Sequence, residues 1–540
     1  MVIRGFHMER KLGFLCRGKE DAVEKEDRTR ELYSRREIAR KMGGKEKIRA
    51  QHARGRLTAR ERIGKLLDAD SFWEGGMLNT SNVPGMEAVS AADGRICGIG
   101  LINGRRVAVE AQDNTILGGS GGRVGHQKVS QLVQMATERG YPIVRLMDGV
   151  GGVRLPEQMG SRGMVGDKRM GGGIPNETFQ VSRETPRVTA IMGECFGEPS
   201  WNACQSDFVV MVKGAAMGAA GPRIIKESIG EEITPQELCG WEIHANYTGQ
   251  VGAFADNDDE ALAIIKRFLS YMPSHHGEEP PYVPCQDPID RRLDRIGNIV
   301  SDQLNKGYDM YRVVKVLVDN GEYFPIKAEW GRAVITCLAR IGGKVVGIVG
   351  NNPIYNAGAP DASATEKAVH FLCLCDSFNI PLVFLQDVPG MLPGTEAEKQ
   401  KIPTKIVVLL QALGLVTVPK VSVLIRKAYG IGWRCMGADQ SHLQAAWPIA
   451  SISFVDPATG IELVYGRKLS QARDTEGEKK RLLEEWAINC APWEAAGVTS
   501  LEVIDPRDTR KWIAEALDIV RGNRGNAIGK HQLANWPTGF

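Results

Sequence analysis

Two stretches of the chain carry the same pattern of apolar and polar positions in the same order. KVSQLVQMATERGYPIVRLMD at Lys128–Asp148 and KAVHFLCLCDSFNIPLVFLQD at Lys367–Asp387 place Lys, Pro and Asp at matching offsets, with a glycine three residues further on, Gly151 and Gly390. In the first portion of each, apolar residues recur at helical spacing: Val129, Leu132, Val133 and Ala136 in one, Val369, Leu372 and Leu374 in the other. The residues after Pro142 or Pro381 form a short apolar run. The spacing predicts a helix feeding a buried strand in each copy. A second pair follows. PRVTAIMGECFGEPSW at Pro186–Trp201 and PKVSVLIRKAYGIGW at Pro419–Trp433 both separate Pro from Gly by 11 residues. The copies lie 239 residues apart in the first pair and 233 in the second, so a short insertion or deletion is all that distinguishes their spacing. A repeat of such long period predicts a duplicated domain, and strands alternating with helices predict α/β halves with parallel sheets. The stretch from Tyr271 to Pro288, rich in Pro, His and acids, marks the joint between them.

The apolar run Ile406–Val418 contains Gln411 and is flanked by Lys405 and Lys420, too short for a membrane span of about 20 residues. It predicts a buried helix. Near the start, basic residues alternate with acids and no apolar cleavage region follows, so no signal or transit peptide is expected. At 540 residues, the chain has room for two large domains rather than one core. Lys and Arg number 68 against 65 Asp and Glu, a balance that argues against nucleic-acid binding through a basic surface. Eleven cysteines with no CxxC pair fit reduced, buried thiols in a cytoplasm. The pair Cys373 and Cys375 is expected to be structural, and His275 and His276 to be solvated in the joint rather than metal-binding.

Absent motifs narrow the chemistry. Every Gly-Lys dipeptide is followed by Glu, Leu, Val or His, so there is no P-loop, and the glycine clusters at Gly118–Gly125 and Gly149–Gly152 do not complete GxGxxG. Gly118-Gly119-Ser120-Gly121-Gly122 satisfies the GxSxG pattern of serine hydrolases, which requires a strand before it and a helix after it. What the repeat itself offers is a glycine at the exit of a strand, where the next helix presents backbone N–H groups ready to hold an anion. If that anion is a thioester enolate, oriented N–H donors supply most of the catalysis. Close packing is the competing role for these glycines.

Further stretches carry a resemblance. KIRAQHARGRLTARERIGKLLD at Lys47–Asp68, GHQK at Gly125–Lys128, GPRIIKESIGEEIT from Gly221, DVPGMLPGTE from Asp387 and RKAYG from Arg426 make nearly the whole chain similar to the carboxyltransferase (beta) subunit of biotin-dependent acyl-CoA carboxylases of the propionyl-CoA type. The resemblance implies two tandem crotonase-like domains: a helical segment over residues 1–70, an acyl-CoA half over 71–280 and a carboxybiotin half over 281–540. It implies a homo-hexamer, a dimer of trimers, with active sites between the N half of one subunit and the C half of another. Biotin would arrive on a separate biotin carboxylase/carboxyl carrier subunit, and the location would be cytoplasmic, with no nucleic-acid or membrane partner. The absence of a biotinyl-lysine box agrees with that division of labour.

Carried over by position, Gly197 and Glu198 fall on the acyl oxyanion hole, and Gly430, Ile431 and Gly432 on the biotin oxyanion hole. The loop with Gly151, Gly152, Val153 and Arg154 would line the coenzyme A channel. The turn Gly118, Gly119 and Ser120 would serve coenzyme A, which retires the hydrolase reading. Gly390, Met391, Leu392 and Tyr429 would border biotin. Two departures stand out. Gly193–Pro199 reads GECFGEP where the family has GPCAGGA, which puts a carboxylate at Glu198 and removes an N–H at Pro199. Arg434 replaces a substrate-selecting acid, and either a second carboxylate on the acyl group or a local partner such as Asp439 would pair with it. The altered acyl hole leaves open carboxyl transfer to another acyl-CoA, decarboxylation without biotin, or a non-catalytic ring subunit.

Overall fold

The computed structural model describes residues 27–149, 154, 182–521 and 528–536. Its strands form two eight-stranded sheets. The first contains β1 (Trp73–Gly75), β2 (Arg95–Ile102), β3 (Arg105–Gln112), β4 (Ile143–Gly149), β5 (Arg187–Phe196), β6 (Phe208–Val212), β7 (Ala216–Gly218) and β8 (Ala253–Ala255). The second contains β9 (Tyr323–Pro325), β10 (Val334–Ile341), β11 (Lys344–Asn351), β12 (Leu382–Val388), β13 (Lys420–Tyr429), β14 (Leu443–Ala446), β15 (Ser451–Ser453) and β16 (Glu502–Val503). Their orders are β1-β2-β3-β4-β5-β6-β8 and β9-β10-β11-β12-β13-β14-β16, with β7 on β5 and β15 on β13. The first three strands of each sheet pair antiparallel and the rest parallel.

The registers repeat as well as the order. Ala108 pairs with Ile143, and Gly347 with Leu382, both partners 239 positions further on. In both sheets the register shifts at the strand carrying the repeated aspartate, between Met147 and Gly149 and between Gln386 and Val388. Helix Arg123–Arg139 precedes β4 and helix Ala362–Ser377 precedes β12, each a helix feeding a buried strand. Cys373 and Cys375 lie buried on the second of these helices. Helix Ile402–Leu415 departs from expectation: Leu409, Ala412 and Leu413 are buried, but Val407 is exposed. It lies against helix Ala362–Ser377 on one face, so its apolar residues are only partly covered.

Both repeated aspartates are buried, and each donates its backbone N–H to a side-chain oxygen on the preceding strand. Gln112 Oε1 accepts from Asp148 N at 3.0 Å, and Asn351 Oδ1 accepts from Asp387 N at 3.2 Å. Their carboxylates serve different purposes. Asp148 holds the N-terminal helices through Gln51 Nε2 at 2.6 Å and Arg62 Nη1 at 2.8 Å, and Arg62 also reaches Asp258 at 2.8 Å. The arginine-rich box of the sequence is therefore a docking device. Asp387 instead holds Arg426 at 2.8 Å, whose Nη1 gathers the carbonyls of Ser301, Gln303 and Lys306.

Helix Ala59–Leu66 begins with a capping box in which Thr58 accepts from Glu61 N, and Glu61 accepts from Thr58 N at 2.7 Å. Thr58→Ala is expected to cost about 1 kcal/mol, measurable as a lower urea midpoint at unchanged m-value. The two halves share one apolar core. Phe208 of β6 stacks on Phe268 with centroids 4.5 Å apart, and Phe324 of β9 packs against both.

At the joint, His275 pairs with Glu278 at 3.3 Å. His276 is not simply solvated, because its N–H donates to Glu184 O at 2.9 Å and its carbonyl accepts from Asn379 Nδ2 at 2.7 Å. Among the described residues, no group of three or more His, Cys, Asp or Glu is placed to hold a metal. No described helix is long and apolar enough to cross a membrane.

Candidate active site

The two glycine turns of the repeat lie where β5 and β13 end and short helices begin. Gly197 precedes helix Glu198–Cys204, and Gly430 opens helix Gly430–Cys435. Both glycines take positive φ, 73° and 53°. In the N half, Gly197 N donates to Gly218 O at 3.0 Å, while Ser200 N and Trp201 N return to Gly197 O at 3.0 and 3.2 Å. Pro199 has no N–H, so the first turn retains one free donor among the described residues, Glu198 N. The corresponding C-half positions are Ile431 and Gly432, both of which carry an N–H. The acyl-side turn thus offers one donor and its counterpart two.

Glu198 does not point its charge at that turn. Its carboxylate accepts from Asn202 Nδ2 and lies 3.5 Å from Arg95 Nη2 and 3.6 Å from His126 Nε2. Burial alone would raise its pKa. The neighbouring His126, with Arg95 and Arg145 behind it, outweighs that and brings it down to about 2. His126 is fixed in turn by Gly122 O, 2.9 Å from Nδ1. Behind this pair, Glu110 of β3 lies 3.8 Å from Arg95 and 3.3 Å from Arg145. The matching residues of the second sheet are Val334, Val349 and Phe384, an apolar layer. Sequence reasoning missed Arg95, His126 and Asn202, although aligning the two copies over β2 to β4 exposes the contrast.

The turn Leu117–Gly119 has a twin in Asn356–Gly358, and both run at positive φ. A Cβ on Gly119 would lie 2.6 Å from Asp148 O, and one on Gly358 2.5 Å from Asp387 O. Ser120 donates its hydroxyl to Leu117 O at 2.8 Å, a local turn bond rather than a nucleophile's arrangement. Arg154 is buried, donates to Asp93 at 2.8 Å, and its backbone N–H donates to Gly121 O at 3.2 Å. It braces this turn. Gly151, Gly152 and Val153 lie outside the described residues.

On the C side, Gly432 presses against Gly390: a Cβ there would lie 2.8 Å from the Gly390 Cα. Gly390 has φ 126°, and Leu392 N donates to Pro360 O at 3.0 Å. Met391 packs against Ala362, Ala397 and Ile402. Tyr429 is buried, and its hydroxyl donates to Ser451 Oγ at 3.2 Å, so the ring supports the turn from beneath. Ile431 is exposed, and beside the turn the side chain of Phe454 is 92% exposed, two apolar surfaces that sequence reasoning did not connect. Arg434 is 57% exposed and pairs with Asp439 at 3.1 Å. Of the two partners that the sequence left open for Arg434, the structure shows the local one, Asp439, in a surface ion pair.

The fold is a duplicated α/β architecture in which each half carries a glycine turn at the start of a short helix. The carboxyl transferase domain model matches residues 50–532, and the chain belongs to that family. It is 36% identical over 510 residues to the propionyl-CoA carboxylase carboxyltransferase subunit of Haloferax mediterranei, covering 92% of this chain and 97% of that protein. It is 36% identical over 523 residues to the methylmalonyl-CoA carboxyltransferase 12S subunit of Propionibacterium freudenreichii subsp. shermanii, covering 95% and 97%. A solved hexameric structure of transcarboxylase 12S, with methylmalonyl-CoA and methylmalonic acid bound, superposes with a TM-score of 0.86 at 34% identity, over 92% of this chain and 96% of that one. The methylmalonyl-CoA decarboxylase alpha subunit of Veillonella parvula is also similar, 34% identical over 498 residues, 90% of this chain and 94% of that one. The chain is an enzyme of biotin-dependent carboxyl transfer of the propionyl-CoA and methylmalonyl-CoA type.

Proposed function

We propose that the chain moves a carboxyl group between carboxybiotin, carried by a partner subunit, and an acyl-CoA, through a thioester enolate. The observation that carries this reading is the repeated glycine turn, which places backbone N–H donors at a helix start in each half. Glu198 N would donate to the thioester oxygen, and Ile431 N and Gly432 N to the ureido oxygen of biotin. The residues present suit that ring system: Gly432 allows Gly390 to approach closely, and Ile431 and Phe454 give an apolar border. Biotin, when bound, supplies the carboxyl group and a ureido nitrogen able to take the α-proton. The protein's part is to hold the developing oxygen charge and to keep the Glu198 carboxylate on Arg95 and His126. The assembly proposed is a hexamer of 59.1-kDa chains, with Gly197 of one subunit facing Gly430 of another.

Similarity to a decarboxylase subunit favours a second reading, in which the same turns release carbon dioxide from a malonyl-type thioester. Purification with and without streptavidin capture, followed by acyl-CoA turnover in the presence and absence of free biotin, separates the two. Carboxyl transfer predicts a biotinylated partner and biotin-dependent turnover of propionyl-type thioesters. Turnover that ignores biotin would overturn it, as would light scattering showing a stable monomer for the proposed assembly.

A further inference from the structure

Lys128 and Lys367 hold corresponding places in the repeat, yet they meet different numbers of acceptors. Lys128 Nζ donates to the carbonyls of Gly76, Ala92 and Arg95 at 3.2, 2.9 and 2.7 Å, three acceptors for the three N–H bonds of an ammonium. Lys367 Nζ has two, the carbonyls of Lys327 at 2.9 Å and Trp330 at 2.7 Å. Two acceptors satisfy a neutral amine and leave its lone pair uncommitted. Burial, with the charge of Lys327 behind it, pushes Lys367 down to about 7, which favours the neutral amine.

The amine also has space beside it. A cavity of about 210 Å³ is lined by Lys367 together with Asp309, Tyr311, Glu329, Arg332 and Asn352. Its acids are engaged: Asp309 accepts from Tyr311 N at 3.0 Å and from Asn352 Nδ2 at 3.3 Å, and Glu329 accepts from Arg332 Nη2 at 3.1 Å. Two donors are not. Among the described residues the buried Tyr311 hydroxyl has no hydrogen-bond partner, its ring stacked on Tyr323, and the exposed Arg332 uses Nε and Nη2 on Glu329 and lies over the Tyr355 ring, with no hydrogen bond at Nη1. A neutral nucleophile thus borders a cavity whose spare groups are donors, an arrangement that would accommodate a newly formed anion.

We propose that Lys367 is a carbamate-forming lysine, its amine adding to carbon dioxide and the resulting carboxylate resting between the Tyr311 hydroxyl and Arg332. The nitrogen lone pair forms the N–C bond, one C–O π pair moves onto oxygen, and one amine proton leaves to water. No oxidant or reductant is needed. The remaining N–H keeps one backbone carbonyl, and Arg332 and Lys327 offset the new negative charge. Carbon dioxide is small and apolar, so it can reach an amine that charged reagents do not. The proposal does not depend on the roles of Gly197 and Gly430.

The test is equilibration of the wild-type protein with ¹³C-labelled bicarbonate and carbon dioxide, read by ¹³C NMR and by trialkyloxonium trapping followed by peptide mass spectrometry. A carboxyl adduct is expected on the Lys367 peptide, growing with carbon dioxide and reversed by degassing, with none on the Lys128 peptide. Tyr311→Phe should lower occupancy roughly tenfold, and Lys367→Arg should remove the adduct. No adduct on Lys367 at saturating carbon dioxide would overturn the proposal, as would equal labelling of Lys128 in the same digest. The wild-type comparison holds even if the arginine variant fails to fold.

Discussion

Replacing Gly430 by valine is expected to reduce carboxyl transfer to free biotin about a thousandfold while leaving acyl-CoA binding unchanged. The backbone there has φ 53°, a region that β-branched residues scarcely enter, and a Cβ would lie 2.7 Å from Phe454 O. Relief requires the turn to move, and with it the N–H groups of Ile431 and Gly432. Rates with free biotin and equilibrium titration of acyl-CoA check the two halves separately. Parallel loss of both would mean misfolding, and unchanged transfer would remove the proposed biotin-side hole.

The second large effect concerns the carboxylate at the other hole. His126→Leu is expected to lower kcat on the acyl-CoA substrate about a hundredfold with little change in KM, because it frees the Glu198 carboxylate to face the forming enolate oxygen. Adding Glu198→Gln should restore most of the loss, since a neutral amide no longer repels that oxygen. A merely structural histidine predicts the reverse, with the double variant at least as impaired as the single one. Stability supplies an independent readout. Glu198 sits at about 2 in the fold against an ordinary value of 4.5, so its contribution is complete above pH 4.5 and is lost as pH falls from there towards 2. The stability difference between wild type and Glu198→Gln should shrink across that window and vanish below it.

The repeat was legible because burial constrains it so tightly. Pro142, Asp148, Pro381 and Asp387 mark strand starts and strand ends whose registers cannot slip without exposing a buried face. The glycine turns were legible for a similar reason, since Gly197 and Gly430 adopt a conformation that few residues tolerate. Side-chain partnerships were not. Glu198 meets Arg95 across 103 positions and His126 across 72, and nothing local in the sequence says which way its carboxylate turns. Arg434 shows the converse: its local partner Asp439, five residues away, took the guanidinium that sequence reasoning also offered to a substrate. The tyrosine at 429 illustrates a third limit, because its position beside the turn was readable but the burial of its ring was not.

The aromatic stack of Phe208, Phe268 and Phe324 has a consequence for how the molecule comes apart. An interface made of core leaves neither copy with a surface of its own to retreat to, so separating them would expose apolar rings and cost about as much as opening a domain interior. The two copies are thus expected to unfold as one cooperative unit. Heat or urea should therefore melt both copies together, and neither half is expected to survive alone as a free-standing fragment able to trade places between subunits.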